Sequence, residues 1–157
     1  MVTDIFLRWD GMTEEETNSQ VAASKVFKLD AGRLGYIRTV SGMKRESAFL
    51  RLIFPLEYWY NASGEPMPYN FQLGQAALNR GARTYLQSVR EGTVPDFRDY
   101  PLVAATDRAS AQVTETAGAD DLELRGAKEW LEEVAEFFAL GMKKQAAGLR
   151  PSILISW

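Results

Sequence analysis

Residues 4–16 read "DIFLRWDGMTEEE" and combine three signals of local structure in one short run. Apolar Ile5 and Leu7 alternate with their neighbours at the two-residue period of a strand, which predicts a strand over Val2–Trp9. The Asp10-Gly11 pair that follows is typical of a turn, because these two residue types accommodate the backbone angles that turns require. The stretch therefore predicts a strand that turns directly into the acidic residues behind it.

The three glutamates at 14–16 indicate either the start of a helix or an acidic active site. Thr13 and Glu16 have the Ser/Thr-x-x-Glu spacing of a capping box, in which each side chain bonds the backbone N–H of the other residue. The positive end of a helix dipole also favours acidic residues in the first turn. Because a helix start accounts for all three glutamates, we favour it and predict a helix over Thr13–Ala23.

The rest of the chain carries two strong helix signals and several weaker signals. Apolar residues recur at helical spacing over Gln72–Arg90 and Leu122–Ala147, and a glycine follows each predicted helix. The Ala48–Tyr60 stretch is the most apolar of the chain, and its half before Pro55 fits strand and helix equally well. Further strands are predicted at Val26–Leu29, Leu34–Val40 and Ser152–Trp157, and loops at Ser41–Ser47 and Asn61–Asn70.

These elements predict an α+β fold, a single-domain sandwich over residues 1–157. A small mixed or antiparallel sheet that includes both terminal strands is expected to pack against the two long helices. We place the last strand beside the first, because a short apolar tail would fray unless a sheet held it. The polar segment 93–121 is long for a structureless loop, so we expect it to contribute a strand, to be mobile or to bind something.

Cysteine and histidine are both absent from the 157 residues, and their absence limits the possible chemistry. It excludes disulfides, thiol nucleophiles, zinc-thiolate sites and Ser-His-Asp triads. What remains is Ca²⁺ or Mg²⁺ chemistry on carboxylates, a Lys or Tyr acid/base, or no catalysis. We expect no cofactor.

The charge and hydropathy patterns restrict the possible partners. A net charge of −3 argues against generic DNA binding, which depends on neutralising phosphates with Lys and Arg. No basic region followed by an apolar stretch opens the sequence, and no apolar run approaches the ~20 residues that span a bilayer. We therefore expect a cytoplasmic protein that does not engage a membrane.

Four segments carry a resemblance: "DIFLRWDGMTEEE", "AGRLGYIRTV", "LIFPLEYW" and "ILISW". Together they resemble a family of small uncharacterised proteins from bacteria and their phages, over roughly the first 60 residues and the last six. The resemblance implies a phage or prophage setting and a single α/β domain, and it implies no activity. Relatives continue past the Gly-Tyr-hydrophobic-Arg strand into a His-Gly-Gly-Pro-type loop. This chain reads "TVSGMKRES" there, so no role of that histidine carries over.

Four cations near this loop form the first candidate site, for a phosphate or carboxylate ligand: Arg38, Lys44, Arg45 and Arg51. Arg38 ends a predicted strand, and Lys44 and Arg45 follow on a glycine-containing turn. Guanidinium groups and free backbone N–H groups on a turn are the donors that an anion requires. The alternative is that these residues are solvated loop charges, as runs of charge usually are.

A group of aromatic residues around a proline-rich loop forms the second candidate, an interaction surface: Tyr58, Trp59, Tyr60, Tyr69 and Phe71. Rings interleaved with polar groups can stack on a base or on a side chain of a partner protein. We favour the alternative, in which the rings roof the core and leave the Tyr hydroxyls in water. A surface for a protein partner comes second.

Carboxylates offer the remaining route to catalysis. Seven candidate aspartates are scattered without calcium-loop spacing, at Asp4, Asp10, Asp96, Asp99, Asp107, Asp120 and Asp121. Our leading hypothesis is therefore a non-enzymatic phage or bacterial binding protein, which acts by contact with a protein or a small anionic ligand. Antagonism of a host defence protein is one option within this hypothesis, and it follows only from the phage setting that the resemblance implies. The alternatives are a small Mg²⁺-dependent hydrolase or transferase using carboxylates, and a structural protein that self-associates through residues 48–60 into a homo-oligomer.

Overall fold

The computed structural model describes residues 2–26, 31–40, 42–94 and 121–156. The described strands are β1 (Val2–Arg8), β2 (Tyr36–Val40), β3 (Met67–Pro68) and β4 (Ser152–Ser156). The described helices are α1 (Glu14–Val26), α2 (Lys44–Ile53), α3 (Leu56–Trp59), α4 (Phe71–Glu91) and α5 (Asp121–Ala146), with a short 3₁₀ helix at Ala31–Leu34.

The four described strands form one antiparallel sheet in the order β2-β1-β4-β3. Phe6 of β1 is paired with Tyr36 of β2 on one side and with Leu154 of β4 on the other. The predicted α+β class is confirmed, and so is the placement of the last strand beside the first. The sheet and the two long helices, α4 and α5, pack together as predicted.

Successive residues of the central strands face opposite sides of the sheet and enter different clusters. Ile5, Leu7 and Ile153 point into the main core, where α2, α4 and α5 pack on the sheet. Phe6 and Tyr36 point to the other side and pack with Ala23 of α1 and with the 3₁₀ helix. Apolar side chains therefore face both sides of the sheet. Helices cover both sides, because each side presents apolar surface to bury.

Both long helices were predicted to within a residue, and the structure shows how α4 is bounded. The side chain of Asn70 accepts hydrogen bonds from the backbone N–H groups of Gln72 and Leu73 at 3.0 and 3.3 Å. Gly92 follows the last residue of α4 with φ of +68°, a left-handed conformation that glycine adopts without steric cost. Asn70 at the start and Gly92 at the end thus provide the two caps of α4.

Close packing of α4 against α5 depends on glycine. Gly141 of α5 lies against the ring of Phe71, and a Cβ at this position would overlap that ring. Gly74 of α4 similarly lies against Tyr69 and Phe138. The absence of a side chain at these two positions lets the buried rings pack directly on helix backbone.

The acidic run of the opening stretch begins a helix, as predicted. The Thr13 N–H donates to Glu16 Oε1 at 2.9 Å, and the Glu16 N–H donates to Thr13 Oγ1 at 3.1 Å, which is the reciprocal pattern of a capping box. Helix α1 continues to Val26. The prediction of a strand at Val26–Leu29 was therefore wrong at Val26, and residues 27–29 lie outside the described residues.

The predicted loop at Ser41–Ser47 was wrong for its second half, because Lys44–Ser47 form the first turn of α2. Phe49, Leu50 and Ile53 share one face at helical spacing and are buried in the main core, which requires a helix to begin before them. The open choice for the first half of Ala48–Tyr60 is thus resolved as helix. Pro55 separates α2 from α3, and the predicted loop at Asn61–Asn70 contains the two-residue strand β3.

Candidate functional site

Arg38 is held in an ion pair across the sheet. Its Nε lies 2.8 Å from Oδ1 of Asp4, the residue opposite it in the β1–β2 register, and its guanidinium lies 5.7 Å from the centre of the Tyr36 ring. The Tyr36 hydroxyl donates to the same carboxylate oxygen. Burial and this hydrogen bond raise the pKa of Tyr36. Asp4 thus provides a carboxylate partner for Arg38 within the protein.

The other three predicted cations lie on α2. Arg45 Nε donates to the Thr93 carbonyl oxygen at 2.8 Å, behind the end of α4. The guanidinium of Arg51 lies 5.5 Å from the centre of the Trp59 ring, and Lys44 is exposed at the helix start. Arg38, Arg45 and Arg51 therefore each contact a different neighbour in the fold.

Four of the five predicted interaction aromatics are tied into the protein, and one of these, Phe71, is completely buried in the main core. Trp59 is buried and its Nε1 donates to the Phe54 carbonyl at 2.9 Å. The Tyr69 hydroxyl donates to the Ile53 carbonyl at 2.9 Å, and the Tyr58 hydroxyl donates to the Pro68 carbonyl. Burial raises the pKa of both Tyr58 and Tyr69. Tyr60 differs, because 68% of its surface is exposed.

An apolar groove of about 230 Å³ lies where α3 and the start of α4 meet. It is lined by Ile53, Pro55, Glu57, Tyr58, Tyr69, Asn70, Leu73 and Gly74. Leu73 is 68% exposed, and the nearby Leu56 is 59% exposed. Leu56 and Tyr60 are one helical turn apart, joined by the hydrogen bond from the Tyr60 N–H to the Leu56 carbonyl. We call the groove with Leu56 and Tyr60 the apolar groove region.

A second cavity, the polar cleft, has a volume of about 200 Å³ and lies between α2, α4 and α5. It is lined by Met43, Arg45, Glu46, Tyr85, Val89, Glu123, Gly126, Ala127 and Trp130. The Tyr85 hydroxyl donates to Glu46 Oε1 at 2.9 Å. Burial, with the negative charge of Glu46, raises the pKa of Tyr85, so the phenol stays protonated and a donor.

Trp130 carries a buried polar atom with an unmet hydrogen bond in this cleft wall. Within the described ranges, its Nε1 has no hydrogen-bond partner. Its ring packs against those of Tyr85 and Phe49, with centroids 5.1 and 5.9 Å away. The sequence placed Trp130 and Tyr85 on the apolar faces of two helices. Each of these two rings carries a polar atom. In the sequence, those polar atoms were the signal that could have indicated a polar cavity along the two helix faces.

Two of the candidate catalytic aspartates are engaged elsewhere in the fold. Asp4 pairs with Arg38, and Asp10 accepts from Arg150 Nε at 2.6 Å. The side chain of Asp121 and all of Asp96, Asp99, Asp107 and Asp120 lie outside the described residues. Over the described ranges, no three acidic side chains come together in a group that could hold a metal ion.

None of the helices in the described part of the chain is long and apolar enough to cross a membrane. Comparison of the chain with models of known protein families, with curated proteins and with solved structures finds no significant match to any of them.

Proposed function

We propose that the chain is a non-enzymatic binding protein that docks a partner protein in its apolar groove region. The observation that carries this proposal is an apolar cavity whose wall includes the exposed Leu73, together with two further exposed side chains, Leu56 and Tyr60, that belong to or directly follow helix α3, which provides other lining residues. Single exposed apolar residues are normal on a protein surface, whereas a contiguous group around a cavity marks an interaction site.

The walls of the groove suit one large apolar anchor from a partner. Tyr58 and Tyr69 have their hydroxyls bonded to backbone carbonyls, so their rings are fixed and need little ordering when a partner binds. Aromatic walls that are already in place, together with the exposed Leu73, resemble the centres of protein interfaces where binding energy concentrates.

Charge specifies the partner further. All lining residues come from the stretch 53–74, which contains two acids, Glu57 and Glu65, and no Lys or Arg. Complementary charge across an interface accelerates encounter and suppresses wrong partners. The partner we propose therefore presents an apolar side chain flanked by Lys or Arg.

The phage setting that the sequence resemblance implies would make the partner a host protein, and we extend the proposal to a role that antagonises host defence. A small anionic ligand at Arg38, Lys44, Arg45 and Arg51 is less favoured, because Arg38 already pairs with Asp4, and Arg45 and Arg51 contact separate neighbours. The partner protein is thus the occupant that we test.

Selection from a displayed random peptide library tests the chemistry directly, with the folded chain as bait. We expect enrichment of peptides in which Leu, Phe or Trp adjoins Lys or Arg. Leu73→Arg introduces a charge on the groove wall and should weaken the selected peptides by about ten-fold or more, the loss of ~1.4 kcal/mol. Calorimetric titration of the purified variants measures this change.

Leu122→Arg is the matched control, because Leu122 is 74% exposed in the first turn of another helix. It should leave peptide affinity unchanged. Peptides without the expected pattern, or equal binding by Leu73→Arg and wild type, would contradict the proposal. Sedimentation of the free chain provides a separate check. A homodimer that Leu73→Arg dissociates would instead support the self-associating structural protein.

A further inference from the structure

We propose that Arg8, at the end of strand β1, binds the phosphate group of a small phosphate monoester, with the hydroxyl of Ser152 as a second donor. The site shares no residue with the apolar groove region, so this inference does not depend on the function proposed for that region. It rests on how Arg8 is held, on the charge of its guanidinium group and on the strands beside it.

The guanidinium group of Arg8 is oriented from one end. Its Nη1 donates to the Leu7 carbonyl oxygen at 3.3 Å and to Oε1 of Gln20, and its central carbon lies 5.0 Å from the centre of the Phe6 ring. Gln20 is completely buried and bonds three backbone carbonyls, so it is a fixed acceptor. The fold therefore positions this guanidinium before any ligand arrives.

The other end of the Arg8 guanidinium carries donors that the protein does not use. Within the described ranges, neither its Nε nor its Nη2 donates a hydrogen bond to another residue. These two atoms form one edge of the planar group, and their N–H bonds match two oxygens of a phosphate or a carboxylate. Arg38 and Arg150 use the Nε of the same edge to bond aspartates. Arg8 thus presents an oriented edge of the kind that binds oxyanions.

The charge of Arg8 is not neutralised by an acidic side chain. In the part of the chain that the structure describes, Arg8 forms no ion pair. Its side chain is half-buried, and burial lowers its pKa because removal from water disfavours the charged form. An arginine nevertheless remains protonated in a protein. A partly desolvated positive charge of this kind favours an anionic ligand.

Ser152 of β4 lies directly opposite Arg8 in the sheet. Opposite residues of an antiparallel pair point to the same face, with their Cβ atoms about 4.5–5.5 Å apart. The Ser152 hydroxyl lies 3.5 Å from the Arg8 carbonyl oxygen, which is longer than an ordinary O–H···O hydrogen bond, so it can donate to a ligand instead. Pro68, which pairs with Ser152 from β3, is exposed. Solvent therefore reaches the sheet beside this pair.

A phosphate monoester fits this set of donors better than a carboxylate does. It carries three terminal oxygens, two for the edge of Arg8 and a third for the Ser152 hydroxyl. A carboxylate has only two oxygens, and the guanidinium edge engages both. The phosphate group also carries a charge of about −1.5 to −2 at pH 7, which strengthens its attraction to an arginine that lacks a counter-ion.

The test follows the Nε–H signal of Arg8 by NMR in the full chain at pH 7, and Arg8→Lys identifies this signal by its loss. Methyl phosphate, dimethyl phosphate and acetate form a matched set of probes, because only the first has three terminal oxygens. Trimethyl phosphate is the uncharged control. Glucose 6-phosphate and adenosine monophosphate carry the same group, and the tighter of the two distinguishes a sugar phosphate from a nucleotide.

We expect methyl phosphate to shift the Arg8 signal saturably and trimethyl phosphate to leave it unchanged. Dimethyl phosphate and acetate should bind about ten-fold more weakly than methyl phosphate, because each lacks the third oxygen and part of the charge. Absence of saturation by methyl phosphate would overturn the proposal. Equal or tighter binding of acetate would overturn the choice of a phosphate in favour of a carboxylate.

Ser152→Asp places a carboxylate directly opposite Arg8 and so supplies an internal counter-ion. It should bind methyl phosphate at least ten-fold more weakly, as measured by backbone N–H signals of β1. It should also melt up to roughly 4 °C higher than wild type, because a cross-strand pair of opposite charges stabilises a sheet.

Asn79→Asp is the matched control for this added charge. It creates a carboxylate at an exposed position of α4, which packs on the other side of the sheet, and it should bind methyl phosphate as wild type does. Arg8→Lys keeps the positive charge without the two-donor edge and should lose about ten-fold in affinity. Unchanged affinity in folded Ser152→Asp, or equal affinity in Arg8→Lys and wild type, would place the ligand elsewhere.

Discussion

Replacement of the polar side chain of Gln20 by methionine should destabilise the protein substantially. This is expected although methionine has a similar size and an apolar side chain normally suits a buried position. Gln20 belongs to α1 and its side chain is completely buried. Its Nε2 donates to the carbonyl oxygens of Leu7, Leu34 and Gly35 at 3.0, 2.7 and 3.2 Å, and its Oε1 accepts from Arg8. A single side chain thus satisfies backbone groups of β1 and of the turn before β2.

The magnitude follows from the groups that lose a partner. The Gly35 oxygen still accepts from the Leu7 N–H at 2.8 Å, so its loss is small. The Leu34 oxygen loses the shortest of the three bonds to Nε2, and the partly buried guanidinium of Arg8 loses an acceptor. Unmet buried groups cost about 1–3 kcal/mol each, and the apolar methionine recovers part of this, so we expect a loss of ~2–4 kcal/mol.

Urea unfolding monitored by tryptophan fluorescence measures this loss, and the midpoint should fall with little change in the slope. The corresponding fall in melting temperature is roughly 5–15 °C for a chain of this size. Gln72→Met makes the same substitution at an exposed position of α4 and should stay within about 0.5 kcal/mol of wild type. Equal stability of the two variants would refute the view that Gln20 attaches α1 to the sheet.

Three further changes test the packing and the charges. Gly141→Ala should destabilise the fold by about 1–2 kcal/mol in thermal unfolding, because overpacking outweighs the gain in helix propensity, whereas Gly126→Ala on the same helix should stabilise it by ~0.5–1 kcal/mol. The hydrogen bond from the Thr13 N–H lowers the pKa of Glu16, so Glu16→Gln should reduce the free energy of unfolding by ~0.3–1 kcal/mol at pH 7. In urea titrations at lower pH, the difference between the variant and wild type should vanish as the pH falls through that lowered pKa. Burial raises the pKa of Tyr85, so wild type should lose stability above the unfolded pKa of ~10 more steeply than Tyr85→Phe. Plots of stability against pH that run parallel for the two proteins would contradict the raised pKa of Tyr85.

The elements that could be predicted are those in which local signals agree. The capping box at Thr13 and Glu16, and the apolar faces of α4 and α5, need only a few neighbouring residues to be recognised. The start of α2 at Lys44 could not be recognised in this way. Met43 supplies no side-chain cap to this helix, and the residues that require it, Phe49 and Leu50, are buried only by tertiary packing.

The candidate sites show the same division. The aromatics Tyr58 and Tyr69 were identified from composition, but their bonds to backbone carbonyls and the groove between them depend on how α3 meets α4. The polar cleft joins Glu46, Tyr85 and Trp130 from three helices. No spacing along the sequence indicates that these three residues lie close together, so the cleft could be identified only from the structure. The burial of Gln20 could not be predicted from the sequence either, because a glutamine in a polar helix is normally a surface residue.

The place of β4 between β1 and β3 has a consequence for biosynthesis. Until residue 156 has left the ribosome, β1 lacks the neighbour that pairs with it from Asp4 to Arg8, and its backbone groups on that side are open to other chains. Pairing between such distant parts of the sequence also slows folding. The entropy of closing a long loop is lost before the contacts that stabilise the closed loop can form. We therefore expect a chain that stops shortly before Ser152, which leaves this edge of β1 unpaired, to aggregate more readily than the chain that contains β4.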